Sequence, residues 1–169
     1  MPAASADAAV KAWTAAGFRP SQVALGVPSY GYISRSNATR LRQRDQNAPS
    51  FNLHAVTNEG ADSGQVEFHE LVDQGVLCND TTGRPGVYVG CGGFTREWDV
   101  CSSTPFLHSE AWSQVITYDD VESLHLKATY ARQRGLLGVN IFDLHGDTNQ
   151  WELVDSLRQG LGLSSSYQP

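Results

Sequence analysis

Apolar positions along the chain switch between two periods, and the switching predicts helix, strand, a long irregular middle, helix, strand, helix. Over residues 5–16, Val10 and Trp13 form an apolar stripe at i and i+3. Ser5 stands where a helix N-cap is favoured, and Gly17 with Pro20 supplies the stop. Val23 to Gly31 (VALGVPSYG) reads as a strand: Val23, Leu25 and Val27 alternate, and Pro28 puts its end in an exposed or irregular position. From Ile33 to about Gly64 the residues are polar, rich in Asn, Ser, Arg and Gln, with no sustained period. Such a stretch in a compact domain suits an insertion with its own short strands, or a functional excursion. Residues 65–77 (QVEFHELVDQGVL) offer part of a helical face through Val66, Leu71 and Val72, with Gly75 near its end. The turn-rich piece that follows carries a predicted strand at Val87 to Val89.

The last third is more regular. Val115 to Tyr118 reads as a short strand, and Asp119 with Glu122, three apart, opens a helix in the manner of a capping box. Val121, Leu124, Ala128 and Ala131 follow at helical spacing, Arg132 and Arg134 suit the carboxyl-terminal end of the helix dipole, and Gly135 closes it. Leu137 to Leu144 is apolar on both faces except at Asn140, the pattern of a strand in a parallel sheet covered by helices. Trp151, Val154 and Leu161 mark a final helix begun by Thr148 and stopped by Gly160 and Gly162. This rhythm is that of an α/β fold.

Composition narrows the function. The 169 residues are 40% hydrophobic and 18% charged, enough apolar surface for one folded domain and too much for a disordered tail. A formal charge of −6 argues against a nucleic-acid or membrane-surface partner, which would call for a concentrated basic face. The basic stretch Arg35, Arg40, Arg42 and Arg44 is diluted by Asp45 and reads as a solvated loop. No window approaches the roughly 18 apolar residues of a membrane span. Residues 1–20 lack the charged start and apolar run of a secretory signal, and read as a helix in mid-fold.

Most motifs of enzyme chemistry are missing. Cys78, Cys91 and Cys101 have no two-residue spacing of the zinc or redox kind, and allow three disulfide pairings with one thiol always left over. His69-Glu70 begins the H-E-x-x-H pattern, but Asp73 occupies the second ligand position, so no metal and no cofactor is implied. Gly90, Gly92 and Gly93 lead into no Lys and helix, and there is no G-x-S-x-G. Asn37-Ala-Thr39 and Asn79-Asp-Thr81 fit N-glycosylation, weak support for an extracellular setting.

Four segments in order, LGVPSYG, FTREWDVCSSTPFL, VITYDDVESLHLKATYARQRG and GLLGVNIFDLHGD, resemble the carboxyl-terminal part of glycoside hydrolase family 18 chitinases, fungal ones especially. The resemblance covers nearly the whole chain. It implies a partial (β/α)8 TIM barrel, the last strands and helices, with an inserted small α+β domain. Residues 1–33 would supply the sixth helix and seventh strand, 34–112 the insertion, and 113–169 the seventh helix, eighth strand and eighth helix. A full barrel needs about 250 residues, so the chain holds only its last part.

The family's signature D-x-x-D-x-D-x-E, ending in the Glu that acts as general acid, is absent from the sequence. The acidic clusters Asp119-Asp120-Val-Glu122 and Asp143-Leu-His-Gly-Asp147 have the wrong spacing. In this family the substrate's N-acetyl group is the nucleophile and one Glu protonates the leaving oxygen, so no catalytic residue is assigned in this chain. The resemblance places Tyr30, Phe142 and Asp143 at the carboxyl ends of barrel strands, facing the sugar cleft. Phe142 stands where the family usually has a stacking Trp, and could equally be core packing. Tyr32 replaces an Arg common after the Tyr-Gly pair. Arg96 and Trp98 belong to the insertion's last segment, one wall of the groove; Asp143 and Asp147 bind sugar or merely lead into the last helix. Chitin or chitooligosaccharides are the expected partners, in an extracellular setting. The leading expectation is part of a chitinase, inactive alone; the alternative is a non-catalytic chitinase-like binder. Barrel edges left open would favour self-association.

Overall fold

A computed structural model describes residues 5–36, 38–39, 41, 64–80 and 87–163. The expected insertion segment from Ile33 to Gly64, the basic stretch beyond Arg35, and Asn37 lie largely or wholly outside the described residues. Helix α1 (Ala6–Ala15) leads into strands β1 (Ala24–Pro28) and β2 (Tyr30–Arg35). Strand β3 (Gln65–Glu67), helix α2 (Phe68–Asp73) and strands β4 (Leu77–Asn79), β5 (Tyr88–Gly90), β6 (Thr95–Asp99), β7 (Thr104–Ser109) and β8 (Gln114–Thr117) follow. Helix α3 (Val121–Gln133), strand β9 (Gly138–Phe142) and helix α4 (Glu152–Leu161) complete the described chain.

Among the described residues the strands form three sheets. β1 and β9 pair in parallel, Gly26 opposite Asn140 and Pro28 opposite Phe142. β3, β2, β8, β7 and β6 form an antiparallel sheet in that order, and β4 pairs with β5. A parallel pair needs a long crossover, and here the crossover holds the whole five-stranded sheet and α3. That sheet includes Tyr30–Arg35 and Gln114–Thr117, so it straddles both expected domain boundaries.

One face of the β1–β9 pair packs on helices: Leu25, Val27, Val139 and Ile141 join a core that includes Leu124, Ala128, Leu153 and Leu157. The other face, with Gly26, Asn140 and Phe142, is open. The expectation that the eighth-strand segment is buried on both sides is corrected here: on its second face Asn140 and Phe142 stay exposed, Phe142 to 65%. α3 and α4 cross closely at Gly160, where an added Cβ would stand 2.6 Å from Ala128 Cβ.

Other readings shift for local reasons. The single strand expected from Val23 to Gly31 is two strands in different sheets. Ser29 makes the break: its N–H donates to the Phe142 carbonyl, its hydroxyl to the Asp143 carbonyl, and its own carbonyl accepts from Phe68 N–H. Residues 65–77 divide into strand and short helix, with Glu67 as N-cap and its N–H donating to Glu70 Oε2 at 2.7 Å. The cap of α3 is Asp120, not Asp119: Asp120 Oδ1 accepts from Glu122 and Ser123 N–H, and Ser123 Oγ accepts from Asp120 N–H. α4 starts at Glu152 rather than at Thr148, and it buries Leu153 and Leu157 while Trp151 stays half exposed. On α1, Ser5 caps as expected and Val10 is buried, but Trp13 is 53% exposed and packs edge-on against Phe18.

Among the described residues no helix is long and apolar enough to cross a membrane.

Candidate functional site

The open face of the β1–β9 pair and one face of the five-stranded sheet enclose a cleft of about 510 Å³. Gly26, Pro28, Asn140 and Phe142 line it from the first sheet; Tyr30, Tyr32, Thr104 and Thr117 line it from the second, with Tyr118 and Asp119 beyond β8. Strand alternation explains the membership. Gly26, Pro28, Asn140 and Phe142 share a face by parity and register, and Tyr32 lies opposite Thr117. A Cβ added to Gly26 would meet nothing within 4 Å, and the Phe142 side chain, opposite Pro28, is largely exposed. Tyr30 and Tyr32 meet edge to face with ring centres 5.8 Å apart, an arrangement that fixes both rings at the rim.

Of the five residues expected at the site, the structure brings Tyr30 and Phe142 together in the cleft. Asp143 does not line it. Its side chain accepts from His145 N–H at 2.9 Å and caps the short turn Leu144–Gly146. Arg96 and Trp98 lie elsewhere again. They pair with Leu107 and Pro105, whereas the cleft face of the same sheet carries Thr104 and Thr117, so both side chains leave from the opposite face.

Arg96 is committed to carboxylates. Its Nη2 and Nε donate to Asp120 Oδ2 at 2.8 and 3.1 Å, and Nη2 also donates to Glu122 Oε2 at 2.9 Å. The guanidinium carbon lies 5.5 Å from the Trp98 ring centre, close enough for cation–π attraction. Burial works against the Arg96 charge, but Asp120 more than offsets it, and the guanidinium is held above its ordinary range. Burial also pushes the Tyr118 phenol far up, and the Asp120 charge adds to that against the opposing pull of Arg96.

Asp119 is a carboxylate on the cleft wall. Lys127 Nζ donates to both its oxygens, at 2.7 and 2.6 Å, and Ser123 Oγ donates to Oδ1 at 2.7 Å. Three donor contacts place it as an ion-pair partner, not as an acid aimed at a ligand. Asp147 is buried and caps α4, accepting from Thr148, Leu153 and Val154 N–H. Among the described residues no group of three or more His, Cys, Asp or Glu is placed to hold a metal ion. Cys78 pairs with Cys91, which selects one of the three possible disulfides and leaves Cys101 exposed.

Sequence reasoning alone did not assign Asn140, Thr104, Thr117 and Asp119 to the cleft. For Asn140 the signal was present, since a lone polar residue in an apolar strand marks the face that meets water. The threonines gave none, because their position depends on a register set by distant chain.

The chain matches the model of glycosyl hydrolases family 18 over residues 2–147. It is 28% identical over 181 residues to a chitinase-like effector of Moniliophthora roreri, an alignment covering 95% of this chain and 42% of that protein. A chitinase from Rhizomucor miehei superposes with a TM-score of 0.70 at 26% identity, over 94% of this chain and 44% of that one. A class V chitinase variant from Nicotiana tobaccum in complex with NAG4 superposes with a TM-score of 0.69 at 26% identity, over 95% and 40%. The chain therefore spans less than half the length of these relatives. The solved family members have the TIM-barrel fold, and the described residues form a partial α/β portion of it with mixed sheets.

Proposed function

The chain belongs to family 18 of the glycosyl hydrolases, and from that premise we propose that its cleft binds chitooligosaccharides on a platform made by Phe142 and Tyr30. The observation that carries the reading is the 65% exposure of Phe142 on the floor of a walled cleft. A large apolar ring kept in water gains when it is covered, and the flat C–H face of a pyranose matches it while the rim supplies hydroxyl and amide partners. The tobacco relative holding NAG4 supports the same class of ligand. In this reading residues 1–33 and 113–169 are barrel segments, 34–112 the insertion, and the working place is extracellular.

Binding is not cutting. Substrate-assisted hydrolysis needs one carboxylic acid beside the scissile bond, and D-x-x-D-x-D-x-E does not occur in the 169 residues. The chain alone binds without hydrolysing; in a parent chitinase the acid would come from polypeptide outside these residues. A recognition-only protein is the second reading, favoured by the likeness to a chitinase-like effector and by Asp119 being occupied by Lys127. In-frame coding sequence upstream of Met1 separates the two, since the acidic signature there assigns a parent enzyme.

Calorimetric titration with a chitotetraose tests binding. Wild-type chain takes up the sugar, and Phe142→Ala weakens uptake by about tenfold, the equivalent of roughly 1.4 kcal/mol. Unchanged affinity in that variant removes the platform. Colour released from a chromogenic chitooligosaccharide above background overturns the claim that the chain alone is inactive.

A further inference from the structure

Arg96 leaves β6 on the face away from the cleft, yet its contacts end one residue from the cleft wall. Both carboxylates it holds, Asp120 and Glu122, belong to the start of α3. Asp120 divides its work: Oδ2 takes two donors from Arg96, and Oδ1 takes Glu122 and Ser123 N–H as the helix cap. Asp120 is 1% exposed, so its charge has no access to bulk water and depends on these partners. Immediately before it, Tyr118 and Asp119 form part of the wall. Asp119 is tied to Ser123, which also bonds to Asp120, so wall and cap are one hydrogen-bonded unit. The planar fork of an Arg can hold two carboxylates at once, and the Trp98 ring lies beside it with its centre 5.5 Å from the guanidinium carbon.

We infer that Arg96 is a positioning residue for the sugar cleft: through Asp120 it straps the β6–β7 hairpin to the first turn of α3 and so fixes Tyr118 and Asp119 as its wall. The inference rests on the sugar-binding reading above, but its own test has an arm that needs no sugar. Loss of Arg96 leaves a buried carboxylate unpaired; the cap then loosens and the wall with it.

A double-mutant cycle in calorimetric titration with chitotetraose decides whether Arg96 works through Asp120. Arg96→Gln and Asp120→Asn each weaken binding by about tenfold, and the double variant is no worse than either single one, because the two residues form one unit. Additive losses, about a hundredfold in the double variant, overturn the inference, because the two residues would then act independently. Unchanged affinity in Arg96→Gln overturns it as well. Arg96→Lys, which keeps the charge but not the fork, falls between wild type and Arg96→Gln, and it serves if the neutral variant folds poorly. Hydrogen exchange is the independent arm: in Arg96→Gln or Arg96→Lys the Glu122 and Ser123 amides exchange several-fold faster while those of Phe106 and Leu107 in β7 do not change. Unaltered protection at Glu122 and Ser123 sinks the strap. Should the wild-type chain bind no chitooligosaccharide, the sugar reading falls, and the exchange arm still decides the strap.

Discussion

Gly31 lies so close to Tyr118 that a Cβ on the glycine would stand 2.7 Å from the tyrosine Cβ and 2.5 Å from the Thr117 carbonyl oxygen. No residue with a Cβ lets β2 approach the end of β8 this closely without moving it. The contact joins a structural requirement to the cleft, since Tyr30 and Tyr32 flank the glycine and Thr117 and Tyr118 form the facing wall.

Gly31→Ala therefore acts on both. The methyl meets backbone and a Cβ rather than the end of a flexible side chain, so overpacking should cost about 1–3 kcal/mol. Thermal melting should show the lost stability and titration with chitotetraose a weaker cleft. An unchanged melting midpoint would mean that β2 and β8 separate freely.

Phe142→Trp should tighten sugar binding. Indole offers more area than phenyl and adds an N–H donor, and the open floor beside Gly26 and Asn140 leaves room for it. We expect roughly three- to tenfold higher affinity, about 0.7–1.4 kcal/mol. Calorimetry checks this, and a loss of affinity would mean that the floor cannot take the larger ring.

Two buried phenols should weaken the fold as the solution becomes alkaline. Burial raises Tyr88, and its hydrogen bond to Glu152 at 2.6 Å adds to the shift; burial raises Tyr118 likewise. Raised pKa values in the folded state mean that the folded chain holds its phenolic protons where the unfolded chain begins to release them. Their contribution is intact below the unfolded value of about 10 and is lost as pH rises above it. Melting midpoints should fall steeply above pH of about 10, and Tyr88→Phe should flatten part of that fall while costing about 1.5–3 kcal/mol at neutral pH through the lost bond to a carboxylate. A profile identical to wild type would show that Tyr88 ionises in the folded chain as freely as in the unfolded one.

The Cys78–Cys91 bond closes a loop with a sequence separation of 13, and the entropy it removes from the unfolded chain is on the order of 3 kcal/mol. The paired change Cys78→Ser with Cys91→Ser should lower the midpoint of urea unfolding accordingly, whereas Cys101→Ser should leave it alone because that side chain is exposed and unbonded. Equal effects from the two changes would contradict this division.

Much of the last third was legible because its information is local. Leu124, Ala128 and Ala131 announce α3 by spacing, and all three are buried in it. The cap fell one residue from its expected place because Asp120, like Asp119, suits an N-cap, and only the contacts with Arg96 and Lys127 divide their roles. The β6–β7 hairpin was not legible. In β7, Pro105, Phe106 and Leu107 are buried in succession between two neighbouring strands, so no alternation survives, and a proline read locally suggests a turn. Tyr30 and Phe142 were expected at the cleft from family motifs that place them at the ends of barrel strands, and both line it. Arg96 was read as a groove wall because nothing near it in sequence indicates that its carboxylate partners are 24 and 26 residues away.

The pairing of Pro28 with Phe142 means that, among the described residues, the aromatic floor rides on a ribbon of two strands, Ala24–Pro28 beside Gly138–Phe142. Such a ribbon borrows its stiffness from the helices behind it and from whatever lies in front. A saccharide seated on the ring would act as a third layer, and since it would bind the ordered ribbon and not the frayed one, occupancy and order would reinforce each other by mass action. The same linkage runs backward: whatever frays the ribbon from its rear, such as a poorer fit where Gly160 meets Ala128, would be felt at the sugar without touching it.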